Sequence, residues 1–212
     1  MSRDWRAWHA AYDEPGSPLD RRLRIVQGHV AVWLADRGGR PSTAVSACAG
    51  QGRDLLEVLA DADARHVRAR LVELDPDNAA TAAATARDAG LDVEVVRGDA
   101  GTTDAYAGAV PADLVLMCGV FGNVPDEDVR RTVESLPQLC AAGATVIWTR
   151  SRREPDLTPA IRGWFSGAGF AARSFDAPDN ALFSVGVHVL TRDPMPLVPG
   201  QRLFRFADRA VG

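Results

Sequence analysis

VSACAGQGRDLL, residues 45–56, is the stretch whose reading decides the fold. A short apolar run passes through Ala49-Gly50-Gln51-Gly52 and opens into an apolar-periodic helix. A strand that turns through glycines into a helix N-terminus builds a cradle for a nucleotide-type cofactor. The glycines let the backbone approach the ligand, and the unpaired N–H groups of the first helical turn favour its negative or polar end. Two other loops of this general shape fail on specific residues. A dinucleotide fingerprint wants a third small residue where this chain has Leu55, which weakens a nicotinamide-dependent oxidoreductase. A phosphate-gripping P-loop needs Gly-Lys-Ser/Thr, and the chain contains no lysine at all.

The residues downstream narrow the choice. Residues 69–76, ARLVELDP, read as a second strand ending in a carboxylate about 20 residues past the glycines, where a ribose hydroxyl pair needs an acceptor. Glu73 is the first candidate and Asp75 the second. A third strand over 93–97 runs into Gly98-Asp99-Ala100, where Asp99 is placed to accept a hydrogen bond from an adenine amino group.

Together with residues 113–125, DLVLMCGVFGNVP, these motifs resemble those of the class I S-adenosylmethionine-dependent methyltransferases, over roughly residues 42–190. The resemblance implies an α/β, Rossmann-like fold: a seven-stranded sheet of order 3-2-1-4-5-7-6, its last strand antiparallel, flanked by helices and carrying an N-terminal helical lid. It implies S-adenosyl-L-methionine as cofactor. The residues it assigns to that cofactor are Ser46, Ala47, Cys48, Ala49, Gly50 and Gly52 of the loop, then Glu73, Leu74 and Asp75 after the second strand. Gly98, Asp99 and Ala100 follow the third strand, and Cys118, Gly119 and Val120 the fourth. The chain departs from the family pattern twice, with Ser46 where an acid is usual and Cys48 where glycine is usual. Asp54, just inside the helix, is placed to take over part of the missing acid's role. The same departures motivate an alternative, a non-catalytic cofactor-binding module or partner subunit.

Composition sets the outer limits. The 212 residues suit one Rossmann-like body over 41–192, with an N-terminal helical extension over 1–40 and a tail over 193–212. Hydrophobic residues at 46% and charged residues at 25% are ordinary for a globular chain. A net charge of -4 argues against a nucleic-acid partner, which wants a basic face. No apolar run reaches membrane length and the N-terminus is too polar for a secretory signal, so a cytoplasmic protein without a membrane partner is expected. The three cysteines and four histidines show no ligand-like spacing, so no metal is expected and the thiols read as reduced.

The acceptor side is less well specified. Trp5, Trp8, His9 and Tyr12 form a stripe at helical spacing, which either packs on the body or closes over the ligands as a lid; Trp8 and Tyr12 then count among the acceptor-lining residues. The loop after the fourth strand adds Phe121 and Asn123, since open α/β sheets hold ligands beyond their carboxyl ends. Arg150, Arg152 and Arg153 follow the fifth strand, either as a solvated cluster or as a clamp for an acidic acceptor, with Arg150 the candidate contact. Methyl transfer from a sulfonium is an in-line displacement that needs positioning above all. His9 is the one histidine with a route to the pocket if a base is required. A small-molecule methyltransferase is the leading reading. The apolar residues of the tail, Leu203, Phe204 and Phe206, would pack on the body or on a second subunit, leaving a homodimer open.

Overall fold

The protein is described by a computed structural model over residues 14–206. Helix α1 (Pro18–Arg37) leads into strand β1 (Ser42–Ala47), helix α2 (Arg53–Asp61), β2 (Val67–Glu73), α3 (Pro76–Asp88) and β3 (Val93–Arg97). A short 3-10 turn (Thr103–Tyr106) precedes β4 (Ala112–Met117) and α4 (Asp126–Ser135). The chain continues through β5 (Cys140–Ser151), α5 (Thr158–Gly167), β6 (Phe170–Asp176) and β7 (Phe183–Leu190). All seven strands join one sheet of order β3-β2-β1-β4-β5-β7-β6, with β7 antiparallel to both its neighbours and the other pairs parallel. This is the topology implied by the family resemblance.

Strand periodicity divides the core in two. Along β4, Leu114 and Leu116 pack with α1, α2 and α3 through Val30, Trp33, Leu56 and Ala82, whereas Val115 and Met117 pack with α4 and α5 through Val129, Val133, Ile161 and Phe165. Both faces of the central strands are therefore covered, which is why β4 reads as an almost continuous apolar run. On the second face Trp148, Phe165 and His188 stack, with Phe165 and His188 centroids 4.3 Å apart. The partner of Trp148 across the β5–β7 ladder is Gly186, where a Cβ would lie 2.2 Å from the indole.

Helix α1 starts as its residues specify. The Ser17 side chain accepts from the Asp20 N–H at 3.0 Å, Asp20 Oδ2 accepts from the Gly16 N–H at 2.8 Å, and Pro18 fills the first turn. Gly38, with φ 57, closes the other end. Gln27 and His29 lie off the apolar stripe of this helix, where the sequence predicts solvated side chains, but they bond to neighbours: Gln27 to the Arg53 carbonyl and the Glu57 carboxylate, His29 to Asp176 at 2.7 Å. Two element bounds also differ from those the sequence predicts, a helix over 126–139 and, with Gly143 as the turn before it, a strand over 144–149. Helix α4 stops at Ser135 and passes into a 3-10 turn (Leu136–Gln138), because Pro137 has no N–H to continue the ladder. Strand β5 begins before Gly143, which sits within it at φ 73, where the register to β4 jumps from Ala112↔Cys140 to Leu114↔Thr145.

The tail is strapped to the body of its own chain. Leu203 and Phe204 are buried, Leu203 N–H donates to the Gly101 carbonyl at 2.8 Å, and Thr103 Oγ1 donates to the Val198 carbonyl at 2.7 Å. The aromatic stripe of Trp5, Trp8, His9 and Tyr12 lies outside the described residues.

Candidate functional site

Strand order reverses between β1 and β4, so the crevice beyond their carboxyl ends is the topological switch point, the place where open α/β sheets hold ligands. The glycine loop occupies one side of it. Cys48 leaves β1 with φ 51, Gly50 has φ 56 and Gly52 has φ 73. The Gly52 N–H donates to the Ala49 carbonyl at 2.8 Å, tightening the turn, and Gly52, as the N-cap of α2, brings no side chain to cap it. A Cβ on Gly52 would lie 2.7 Å from both Leu56 Cδ1 and Leu71 Cδ2, so glycine is required here twice over. Cys48 takes a left-handed conformation that glycine adopts without strain, which explains the family's preference at that position.

Glu73 ties the loop to the next strand. The residue is 9% exposed; its carboxylate Oε2 accepts from the Gly50 N–H at 2.7 Å and Oε1 from the Asp75 N–H at 2.8 Å. The Gly98 N–H, at the end of β3, donates to the Glu73 carbonyl at 3.0 Å. Three loops of the carboxyl edge thus converge on one residue. Asp75 is occupied differently, as the N-cap of α3, accepting from the Asp77 N–H at 3.1 Å and the Asn78 N–H at 2.9 Å. Capping explains Asp75 without a ligand, which leaves Glu73 as the carboxylate turned toward the loop. Leu74, between them, is 67% exposed beside this buried acid.

Asp99 stands across from Glu73, and both carboxylates act on Cys48, whose thiol is pushed up by burial and further by these two charges. Asp99 Oδ1 accepts from the Gly101 N–H at 2.8 Å, and Oδ2 pairs with the guanidinium of Arg202. Ala100 is buried, and its carbonyl accepts from the Tyr106 hydroxyl at 2.8 Å. Ser46 is 1% exposed and carries no charge into the crevice. Asp54, on the first turn of α2, has a carboxyl pushed up to about 6 by burial, and its Oδ1 is buried without a hydrogen-bond partner. Cys118, at the end of β4, reaches the same carboxyl with its thiol.

On the acceptor side, the structure redirects two residues singled out from the sequence. Phe121 follows β4 as expected, but its ring is fully buried, 6.0 Å from Trp148 and 6.5 Å from Phe165, and so belongs to the core rather than to a cleft wall. The reason is apolar area: a phenyl ring at this turn reaches the aromatic stack on the second face. Arg150 is turned inward, bonding the Phe121 carbonyl and pairing with Asp126 at 3.3 Å, so it pins the loop after β4 instead of standing open as a clamp. Arg152 likewise satisfies the Pro178 and Ala181 carbonyls at 2.6 and 2.7 Å. Asn123 donates through Nδ2 to the Gly119 carbonyl at 2.6 Å, and the Gly119 N–H donates to Thr149 Oγ1 at 2.8 Å, so the loop closes on itself above Val120. Trp8, His9 and Tyr12 lie outside the described residues.

Arg202 and Gly101 are the site neighbours that sequence reasoning missed. No local pattern announces a contact between the tail and the end of β3; only the folded path of the tail does. Among the described residues no cluster of His, Cys, Asp and Glu is arranged to hold a metal, and no helix is long and apolar enough to cross a membrane.

Residues 22–169 match the model of a protein family described as "Putative methyltransferase". No curated protein matches the sequence. Among solved structures, the fold is similar to that of magnesium protoporphyrin IX methyltransferase from Synechocystis PCC 6803 with bound S-adenosylmethionine, at 15% identity and a TM-score of 0.69 over 89% of this chain and 92% of that one. It is similar to an O-methyltransferase family protein from Burkholderia thailandensis, at 18% identity and a TM-score of 0.61 over 81% of this chain. The match spans 58% of that protein's length. It is also similar to the fibrillarin of Aeropyrum pernix with natively bound S-adenosyl-L-methionine, at 14% identity and a TM-score of 0.57 over 71% and 67% of the two chains.

Proposed function

The chain belongs to this methyltransferase family, and on that premise we propose that it transfers the methyl group of S-adenosylmethionine to a small-molecule acceptor. The observation that carries the cofactor is Glu73, a buried carboxylate fixed by two backbone amides at the switch point. Each of its oxygens has accepted one hydrogen bond and keeps a second lone pair, so the carboxylate still accepts a pair of ribose hydroxyls. The other residues suit the same ligand. Gly52 lets the loop pack flat on Leu56 and Leu71 beneath it, exposed Leu74 offers an apolar face to a purine, and Asp99 offers an acceptor for its amino group.

When bound, the cofactor supplies an electrophilic methyl carbon on a sulfonium. What the chain's own residues do is hold and orient. Glu73 fixes the loop, the Gly119–Asn123 turn closes the crevice on the β4 side, and Arg150 anchors that turn from β5. A small acceptor is supported by the net charge of -4 and by the likeness to the porphyrin methyltransferase along nearly its whole length.

The test is to incubate the protein with methyl-labelled S-adenosylmethionine and three acceptor pools: a low-molecular-weight cell extract, bulk RNA and total protein. Label in the low-molecular-weight pool is expected. Label in RNA would overturn the small-molecule acceptor, and saturable cofactor binding without transfer to any pool would favour a non-catalytic module.

A further inference from the structure

Arg150 and Arg152, placed by the sequence to clamp an acidic acceptor, are bonded to backbone carbonyls of their own chain. Helix α1 brings another arginine to the same edge of the sheet. Its last turn stands at the opposite edge, where Arg37 pairs with Asp113 at the start of β4 at 3.1 Å, so its first turns stand at the carboxyl edge. One flank of α1 meets the start of α2 through Gln27, and the other meets Asp176 at the end of β6 through His29. Positions 21, 25 and 29 share that second flank. Arg21 accordingly donates through Nη1 to Asn180 Oδ1 at 3.1 Å, in the loop between β6 and β7. Arg152 holds this loop through the Pro178 and Ala181 carbonyls, and Phe183 after it pairs with Ser151 at the end of β5. One residue along the helix, Arg22 acts by its charge on Asp54 and on Cys118 at the end of β4. Arg21 therefore stands between the crevice and the β6–β7 loop, on the acceptor side.

Its guanidinium is half-buried, and its Nε–H is buried without a hydrogen-bond partner. Among the described residues no carboxylate pairs with it, not even Asp179 beside Asn180. Arg37 and Arg70, half-buried to a similar degree, have Asp113 and Glu94 at 3.1 and 2.6 Å. A cation drawn out of water is costly unless an anion or a full set of acceptors meets it. With Nη1 on Asn180, the Nε–Nη2 edge remains, and its two parallel N–H groups match the two oxygens of a carboxylate. A phosphate would draw on the amides of a helix start. At α1 these are taken: Ser17 accepts from the Asp20 N–H, and the Asp20 carboxylate stands over the Gly16 N–H.

We propose that the acceptor is a carboxylate-bearing small molecule, held by the Nε–Nη2 edge of Arg21 with Asn180 beside it. This rests on the reading of the chain as a small-molecule methyltransferase. The contact orients the acceptor and takes no part in bond making.

The test sorts acceptors by charge before the reaction. A low-molecular-weight cell extract is passed over an anion exchanger, and each fraction is incubated with the full chain and methyl-labelled S-adenosylmethionine. Label is expected in the retained fraction, with or without prior phosphatase treatment. On that fraction Arg21→Gln should lower transfer at least tenfold when the extract is dilute and recover as it is concentrated, while S-adenosylhomocysteine affinity changes less than twofold by calorimetry. Arg21→Lys, which keeps the charge and loses the fork, should fall between the two. Arg24→Gln, which removes an exposed charge from the same helix, should match the unsubstituted protein. Label confined to the unretained fraction, label lost after phosphatase, or S-adenosylhomocysteine weakened in step with transfer overturns the proposal. Should Arg21→Gln not fold, Asn180→Ala decides in its place: about threefold lower transfer from dilute extract is expected, and unchanged transfer overturns the contact. If the unsubstituted protein labels no fraction, the methyltransferase reading falls and this inference with it. If it labels the retained fraction and Arg21→Gln does so equally, only the role of Arg21 falls.

Discussion

Arg202 pairs with Asp99, 103 positions earlier in the chain, so the C-terminal tail holds the carboxylate that follows β3. The contact is part of a larger strap. Arg202 bridges Thr102, Leu203 hydrogen-bonds Gly101, and a Cβ on Gly101 would lie 2.3 Å from the Phe204 carbonyl. The tail is fitted against the end of β3 closely enough that only glycine is accommodated there.

Arg202→Ala should therefore weaken S-adenosylhomocysteine binding roughly three- to tenfold while changing stability by under about 1 kcal/mol, since both partners are partly exposed and such pairs contribute little to folding. Calorimetry with a parallel urea titration checks this. A variant that binds normally would mean that the Gly101 N–H alone orients Asp99.

Phe121→Ala should act on the fold. The ring is buried against Trp148 and Phe165, and deleting a buried phenyl costs about 3–5 kcal/mol. Denaturant unfolding measures it; a loss near zero would return Phe121 to the cleft wall.

Gly52 and Gly200 separate strain from crowding. Their φ values are 73 and 72, but a Cβ meets two leucine side chains at Gly52 and nothing within 4 Å at Gly200. Gly200→Ala should cost about 1 kcal/mol from backbone strain alone, and Gly52→Ala a further 1–3 kcal/mol from overpacking. Equal costs in thermal unfolding would show that the leucines yield freely.

His188 makes stability depend on pH. It is buried, its Nδ1 accepts from Trp148 Nε1–H at 3.1 Å, and burial lowers its pKa from 6.5 to about 4, with Arg162 adding to the effect. The unfolded chain then binds the extra proton between these values, so this contribution is complete above pH 6.5 and is lost as pH falls toward 4, amounting to on the order of 2–3 kcal/mol. Asp54, raised from 3.8 to about 6, acts in the opposite sense over its own window. The informative quantity is therefore the difference between the unsubstituted protein and His188→Gln, whose urea stability should lose this slope between pH 6.5 and 4; identical slopes would place the titration elsewhere.

The carboxyl edge was legible in the sequence because its parts are local. Glycines between a strand and a helix, an acid at a strand end and an N-cap such as Ser17 each act within a few residues, and the strand order followed from the family resemblance. Gly143 was misread for an equally local reason: a glycine between an apolar helix and an apolar strand signals a turn, and only the β4 register shows that it is a bulge. Phe121 and Arg150 looked like cleft residues because their positions in the chain are cleft positions. The direction of their side chains is set by the Trp148 stack and the Phe121 carbonyl, both distant in sequence. Arg202 had no sequence signal at all, since its partner lies across the fold.

The most direct test of the account is calorimetric titration of S-adenosylhomocysteine into the protein and into Glu73→Gln. Saturable binding at one site per chain, weakened at least tenfold by the substitution while the fold is retained, is the predicted result. Absence of binding to the unsubstituted protein, or equal affinity in the variant, would contradict the assignment of the crevice between β1 and β4 to the adenosyl cofactor.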